Sequence, residues 1–308
     1  MNKKIFVIYF KLIFLLFLTT SCGGGGGGGG INSSGGSSFN TAEFQSNFGL
    51  SRIGALTALN NNGTGSGIIV GVLDTGIDID NIEFSGRISN NSSNITEGAA
   101  VNVDDKEGHG TAVAGIIGAA KNDSGIHGVA PSSILLVKKL NIGAALTLLN
   151  VDVGINSAVS NGAKVINMSF GTDAPALPSA SEQAAMQNAV DQGVILVVAT
   201  GNSSLSQVLN FARLADCTGG GGICNGFNAR GRMIAVNAVD SNNNETAFGN
   251  RCGDTSTACM VAPGQNINST SIGGGTSVVT GTSFSAPHVT GAVAVLLQKF
   301  PTITPSDA

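Results

Sequence analysis

Charge is what this sequence has least of. Only 11% of its 308 residues are Asp, Glu, Lys or Arg, and the formal net charge is -4. No basic footprint exists to hold a phosphate backbone, so nucleic acid is set aside as a partner. Long apolar runs are equally scarce: Leu12 to Leu18, near the amino terminus, is too short and too interrupted to span a bilayer as a mature helix. No Gly-x-Ser-x-Gly elbow occurs, which argues against an esterase whose triad follows the order Ser, Asp, His. Histidine is found at three positions, His109, His127 and His288, so chemistry needing an imidazole base has three places to find one. None of them lies near a cysteine pair, which disfavours a tetrahedral zinc site. What is plentiful is small or apolar. With 42% hydrophobic residues and 45 glycines, the chain suits one large, rigid, loop-rich extracellular domain with a sizeable core.

The stretch that organises the rest is Gly281-Thr282-Ser283-Phe284-Ser285-Ala286-Pro287-His288, followed by the apolar run Val289 to Leu297. A small-residue turn delivers Ser283 to the first turn of a helix that is apolar on nearly every side and must therefore be buried. The free N–H groups and positive dipole end of that helix favour negative charge developing beside Ser283, which makes it a candidate nucleophile. A serine hydroxyl needs a base. His288 is fixed in the same helix, well round from Ser283, and reads as structural; His127 sits in a turn-rich loop. His109 remains, flanked by Gly108 and Gly110 at the start of a small-residue helix expected over 110–120. The carboxylate that would orient it is Asp74, directly after the strand-like run Ile68 to Leu73 and directly before Thr75-Gly76. There it opens into the crevice where open α/β sheets bind ligands. Asp78, Asp104 and Asp105 lack that setting and are expected to be solvated loop charges.

The motifs Asp74-Thr75-Gly76, Gly108-His109-Gly110-Thr111 and Gly281-Thr282-Ser283, in the order Asp, His, Ser, resemble those of the subtilisin-like serine proteases, or subtilases, over about residues 50 to 308. The resemblance implies an endopeptidase acting on protein or peptide substrates through a serine acyl-enzyme. Asp74 would orient, His109 would serve as base and then acid, and Ser283 would attack. It assigns the oxyanion donor to Asn202, in Ala199-Thr200-Gly201-Asn202, and substrate-backbone pairing to Ser169, Phe170 and Gly171. No cofactor is required for such chemistry; structural calcium is common in the family, and no ligand set or other metal site can be matched here. A non-catalytic adhesin on the same sheet is the competing class, and it would be expected to lose one of Asp74, His109 and Ser283.

Apolar runs alternate with helical patterns, as an α/β fold with a doubly wound, mostly parallel sheet and helices on both faces requires. Strands are expected at 134–137, 164–168, 194–199 and 233–239, and helices at 151–160 and 181–191, the second behind Ser179 and Glu182 in capping-box spacing. Phe44, Phe48, Ile53, Leu56 and Leu59 recur at near-helical spacing and suggest short helices on the domain edge.

Residues 1–21, with Lys3, Lys4 and Lys11 ahead of the apolar run, read as an export signal. The ending Leu18-Thr19-Thr20-Ser21-Cys22 resembles a bacterial lipoprotein signal, its leucine one place further from the cysteine than that pattern has it, and makes Cys22 a candidate for lipidation. Residues 22–40 form a Gly/Ser-rich linker that, over roughly 17 residues, spans about 23 Å r.m.s.. This organisation predicts an exported protein of the bacterial cell envelope, an outer-membrane lipoprotein or surface protein touching its membrane through the lipid. The peptidase domain then occupies 41–308. It has no room for a long inhibitory propeptide, which resembles surface and autotransporter members of the family, and Ser306 or Asp307 looks like the cap of a helix that does not follow. Cys217 and Cys224, like Cys252 and Cys259, are separated by six residues, and two small loops are the favoured connectivity of the three that four cysteines allow.

Overall fold

The structure is a computed structural model and describes residues 39–96, 102–140, 150–173 and 177–303. The expected export signal, Cys22, most of the linker, Ser306 and Asp307 lie outside the described residues. Among those described, seven strands form one sheet in the order β2-β3-β1-β4-β5-β6-β7. They are β1 (Ile69–Asp74), β2 (Ser93–Asn94), β3 (Ile134–Lys139), β4 (Val165–Met168), β5 (Ile195–Ala199), β6 (Met233–Val239) and β7 (Cys259–Pro263), and each pairing is parallel. The chain builds one side of β1 and then crosses to the other, so the switch point lies at the carboxyl end of β1. That is where a doubly wound sheet opens a crevice.

Side chains alternate across the sheet because a strand has a period of two. Val70, Val72, Val197 and Val236 face one layer, built on α4 (His109–Gly118) and α7 (Thr282–Lys299). Leu73, Leu136, Leu196 and Val198 face the other, built on α5 (Val151–Ser160) and α6 (Ala180–Asp191). The α6 capping box is formed: Ser179 Oγ accepts from Glu182 N and Glu182 Oε2 accepts from Ser179 N. Ala286, Thr290, Val293 and Ala294 bury α7, and burial of a side chain the size of Val293 stabilises by about 1.5–3 kcal/mol. Four strands escaped the sequence reading: β2, β7, and the antiparallel hairpin of β8 (Ile267–Thr270) and β9 (Thr276–Val279). The expected helix over 110–120 starts at His109 and ends at Gly118. Both cysteine pairs are joined as expected, Cys217 to Cys224 and Cys252 to Cys259, with Cα atoms 5.4 and 5.9 Å apart.

Three short helices, α1 (Ala42–Gln45), α2 (Phe48–Arg52) and α3 (Ala55–Asn60), cover the domain edge and bury Phe44, Leu50 and Leu59. Beneath them lie two histidines. His288 is fully buried; its Nδ1 is 2.8 Å from the Phe284 carbonyl and therefore carries the proton, which leaves Nε2 against Gly49 of α2 with no partner among the described residues. Burial lowers its pKa to about 4 against the small opposing pull of that carbonyl. His127 lies under Phe39 and Phe44, and burial lowers its pKa too. On the same edge Glu83 is buried, and its pKa is raised to about 7, first by burial and then by the charge of Glu43.

These groups act in opposite directions on stability. His288 refuses a proton between about 6.5 and 4 that the unfolded chain accepts, so its contribution is complete above 6.5 and fades as pH falls. Glu83 keeps a proton between 4.5 and about 7 that the unfolded chain gives up, so its contribution is complete below 4.5 and fades as pH rises through 7. In the overlap the two offset each other. Glu83→Gln should therefore make stability fall more steeply on acidification than in the wild type, by up to about 1.4 kcal/mol per pH unit for the one proton no longer offset. Thermal unfolding followed from pH 7 to 4 measures the slope, and identical slopes would remove the assignment.

Candidate active site

Asp74 ends β1 with no solvent exposure. Its Oδ1 accepts from Thr75 N at 2.8 Å and lies 2.7 Å from His109 Nδ1. The imidazole can come this close because α4 begins against the turn after β1: a Cβ on Gly110 would stand 2.2 Å from the Gly76 carbonyl oxygen and 3.1 Å from Asp74 Cβ. Glycine at 110 is thus a packing requirement. The His109 side chain remains 33% exposed on its other side. Burial is the largest single influence on the ring and opposes its charge. The attraction and hydrogen bond of Asp74, helped by the charges of Asp105 and Glu107, outweigh that influence and hold the pKa above the ordinary 6.5.

Ser283 is half-buried in the first turn of α7, and the ring of its neighbour Phe284 lies 5.4 Å from that of His109. The helix start thus reaches the imidazole, although among the described residues no hydrogen bond joins His109 to Ser283. The Ser283 hydroxyl instead donates to the Ser169 carbonyl at 3.1 Å. In return, the Ser169 hydroxyl donates to the Ser283 carbonyl at 2.8 Å. Pro287 explains the second bond: proline has no N–H, so the carbonyl four residues before it has no helical donor. Ser169 is itself held by Asn167 Nδ2 at 2.9 Å, and Asn167 Oδ1 accepts from Thr290 of α7 at 2.9 Å.

Asn202 stands exposed beside the start of α7, where its side-chain oxygen accepts from Thr282 N at 2.8 Å and Thr282 Oγ1 at 3.0 Å. With the oxygen fixed by the helix start, the amide nitrogen is the end left to face the crevice. Asp74, His109, Ser283, Asn202 and Ser169 thus converge at one mouth of the sheet. Phe170, by contrast, is buried against Phe211 with ring centroids 5.7 Å apart, so only its backbone can meet a ligand.

The expectation for the loop aspartates is corrected at two positions. Asp78 is buried, its Oδ2 accepting from Gly273 N at 2.9 Å, and Asp105 is buried at 4% exposure. Asp105 Oδ1 accepts from the N–H groups of Glu107 and Gly108 and from the Thr75 hydroxyl at 2.9, 3.0 and 3.0 Å, and its Oδ2 takes the Thr111 N–H and hydroxyl at 2.9 and 2.8 Å. Burial alone would raise its pKa; those bonds hold it below the usual value. Thr75 in turn accepts from Gly110 N at 2.9 Å, tying the turn after β1 to the start of α4. Asp104 remains partly exposed and pairs with Lys106.

Among the described residues no three His, Cys, Asp or Glu side chains converge as a metal site would need. Glu43 and Glu83 are a buried pair bridged by Asn122, whose N–H donates to Glu43 at 3.2 Å and whose side-chain amide donates to Glu83 at 3.2 Å, and the Lys121 ammonium lies 4.0 Å from Glu43.

Residues 65–308 match the sequence model of the subtilase family, Peptidase S8. Subtilisin BL and Subtilisin Savinase, both from Lederbergia lenta, are each 36% identical to this chain over 260 residues, covering 82% of this chain and 85% of the relative. Among solved structures, a cold-adapted subtilisin-like serine proteinase is 29% identical, with a TM-score of 0.61 over 79% of this chain and 80% of its own.

Removing the Asp105 carboxylate strands three amides and two hydroxyls at the base of α4. Asp105→Ala should cost about 1–3 kcal/mol, read as a lower Tm, and should depress kcat more than it raises KM because His109 opens that helix. An unchanged Tm would show that the cluster carries no such role.

Proposed function

The chain belongs to the subtilase family and is a subtilisin-like serine endopeptidase, and from that premise we propose that Asp74, His109 and Ser283 perform the cleavage, with Asn202 as oxyanion donor. The observation that carries the assignment is the buried Asp74 carboxylate 2.7 Å from His109 Nδ1, which leaves Nε2 as the base. Ser283 Oγ attacks the scissile carbonyl carbon and gives its proton to Nε2. The negative oxygen is held by Asn202 Nδ2 and the N–H of Ser283 at the start of α7. The C–N bond then breaks as His109 returns the proton to the leaving amine. Water, deprotonated by the same ring, hydrolyses the acyl-enzyme.

Ser169, Phe170 and Gly171 pair with the substrate backbone as an added strand. A substrate N–H that takes the Ser169 carbonyl frees the Ser283 hydroxyl to turn to His109, and catalytic bonds of this kind commonly tighten only when substrate is bound.

A fluorophosphonate probe should label the wild type and fail to label Ser283→Ala, with kcat falling by about 2 × 10⁶, the loss that a subtilisin itself gives. Labelling that survives the substitution would sink the assignment. Only neutral imidazole can act as base, so activity should rise with pH through a midpoint above 6.5, and Asp74→Asn should move that midpoint down as well as lowering kcat.

The protein acts outside the cytoplasm, tethered by a lipid on Cys22. The charged and apolar pattern of residues 1–21, the linker composition and the two disulfides, which persist in oxidising compartments, all support this reading. Palmitate fed to the native host should label the wild type but not Cys22→Ala, and the variant should leave the membrane fraction; equal labelling of both would refute the anchor.

A further inference from the structure

We propose that Leu209 forms the floor of the pocket for the side chain preceding the scissile bond, and that this chain cleaves after small residues such as alanine, glycine and serine. The inference rests on the reading in which Ser283 attacks and residues 169–171 carry the substrate backbone.

Ladder pairing of β4 with β5 ends at Met168 opposite Val198. Beyond it the two chain extensions, 169–172 and 200–202, run on to the crevice, where the Ser169 carbonyl accepts from the Ser283 hydroxyl and Asn202 Oδ1 accepts from Thr282 N. A carbonyl placed over Ser283 Oγ between them sends its own side chain into the gap separating the extensions. Each wall of that gap contributes a glycine, Gly171 and Gly201.

Two facing glycines would ordinarily leave a deep slot, but here the space is already taken. A Cβ built on Gly171 would lie 2.9 Å from both Cβ and Cδ1 of Leu209, and one on Gly201, where the Asn250 amide also crowds in, would lie 2.7 and 2.8 Å from Leu209 Cγ and Cδ2. One isobutyl group therefore touches both walls.

Leu209 is also held in place. Its N–H donates to the Thr200 carbonyl at 2.8 Å, the next N–H, of Asn210, donates to the Thr172 carbonyl at 3.3 Å, and Asn210 Oδ1 accepts from Thr172 N at 3.0 Å. Residues 209–210 thus lace the two extensions together. Phe211 follows, fully buried against Phe170, so the loop cannot slide outward without opening the core. Leu209 keeps 7% exposure, the tip of a plug. A methyl or hydroxymethyl group fits above it, whereas a phenyl or isobutyl group would have to displace it from a packed position, which close-packed interiors resist.

Succinyl-Ala-Ala-Pro-X p-nitroanilides with X as Ala, Leu or Phe test the idea. The wild type should favour Ala over Phe in kcat/KM by at least about tenfold, and Leu209→Ala should shift the ratio toward Phe by about 10- to 200-fold, the range over which pocket volume discriminates. A wild type faster on Phe or Leu overturns the inference, as does a fluorophosphonate-reactive Leu209→Ala with an unchanged ratio. The wild-type ratio decides by itself where the variant does not fold. Failure to cleave any of the three, with no fluorophosphonate labelling, removes the proteolytic assignment of Ser283 and this inference with it.

Discussion

A carboxylate with no access to water sits at the end of β1, and the rest of the site is arranged around it. An isolated charge in such a place is costly, and only strong, well-placed donors make it tolerable. Thr75 N supplies one and the His109 imidazole the other, while Oδ2 finds no partner among the described residues. The dependence runs both ways: the ring gives Asp74 a donor, and Asp74 fixes which ring nitrogen is protonated and holds the ring's pKa up against burial.

That contact is supported by layers of backbone anchoring. Asp105 and Thr75 bind the base of α4 to the turn after β1, and Gly110 lets the two approach. On the other side of the crevice, Thr290, Asn167 and Ser169 hold the carbonyl of Ser283 that Pro287 leaves without a helical donor, and Thr282 holds Asn202. Each candidate catalytic side chain is thus positioned by hydrogen bonds to rigid elements, the condition for electrostatic preorganisation. The edge covered by α1 to α3 follows a different logic. There, burial lowers the pKa of two histidines and raises that of a glutamic acid, so their contributions to stability change in opposite directions with pH.

Much of the architecture was legible in the chain. The strands at 69–74, 134–139, 165–168, 195–199 and 233–239 carry continuous apolar runs because both faces of a parallel sheet are covered. The helix at 151–160 and the capped helix at 180–191 were equally plain. The missed strands lack that signal for a physical reason. β2 is two residues long, β9 is largely exposed, β7 is half-exposed and ends in Pro263, and β8 reads Ile-Asn-Ser-Thr, with Ser269 and Thr270 bonded to the backbone of α4.

The sequence by itself determined the family, the strand and helix order and the short list of candidate catalytic residues, because glycine-flanked Asp, His and Ser motifs and apolar periodicity are local properties of a chain. Only the tertiary structure decided which loop charges are buried and which are solvated, since Asp78, Asp104 and Asp105 look alike until the donors around them are known. It also decided the depth of the gap between Gly171 and Gly201, because the leucine that fills it comes from a third segment whose position is fixed by bonds to both walls. Contacts among three segments distant in sequence leave no periodic trace in any one of them.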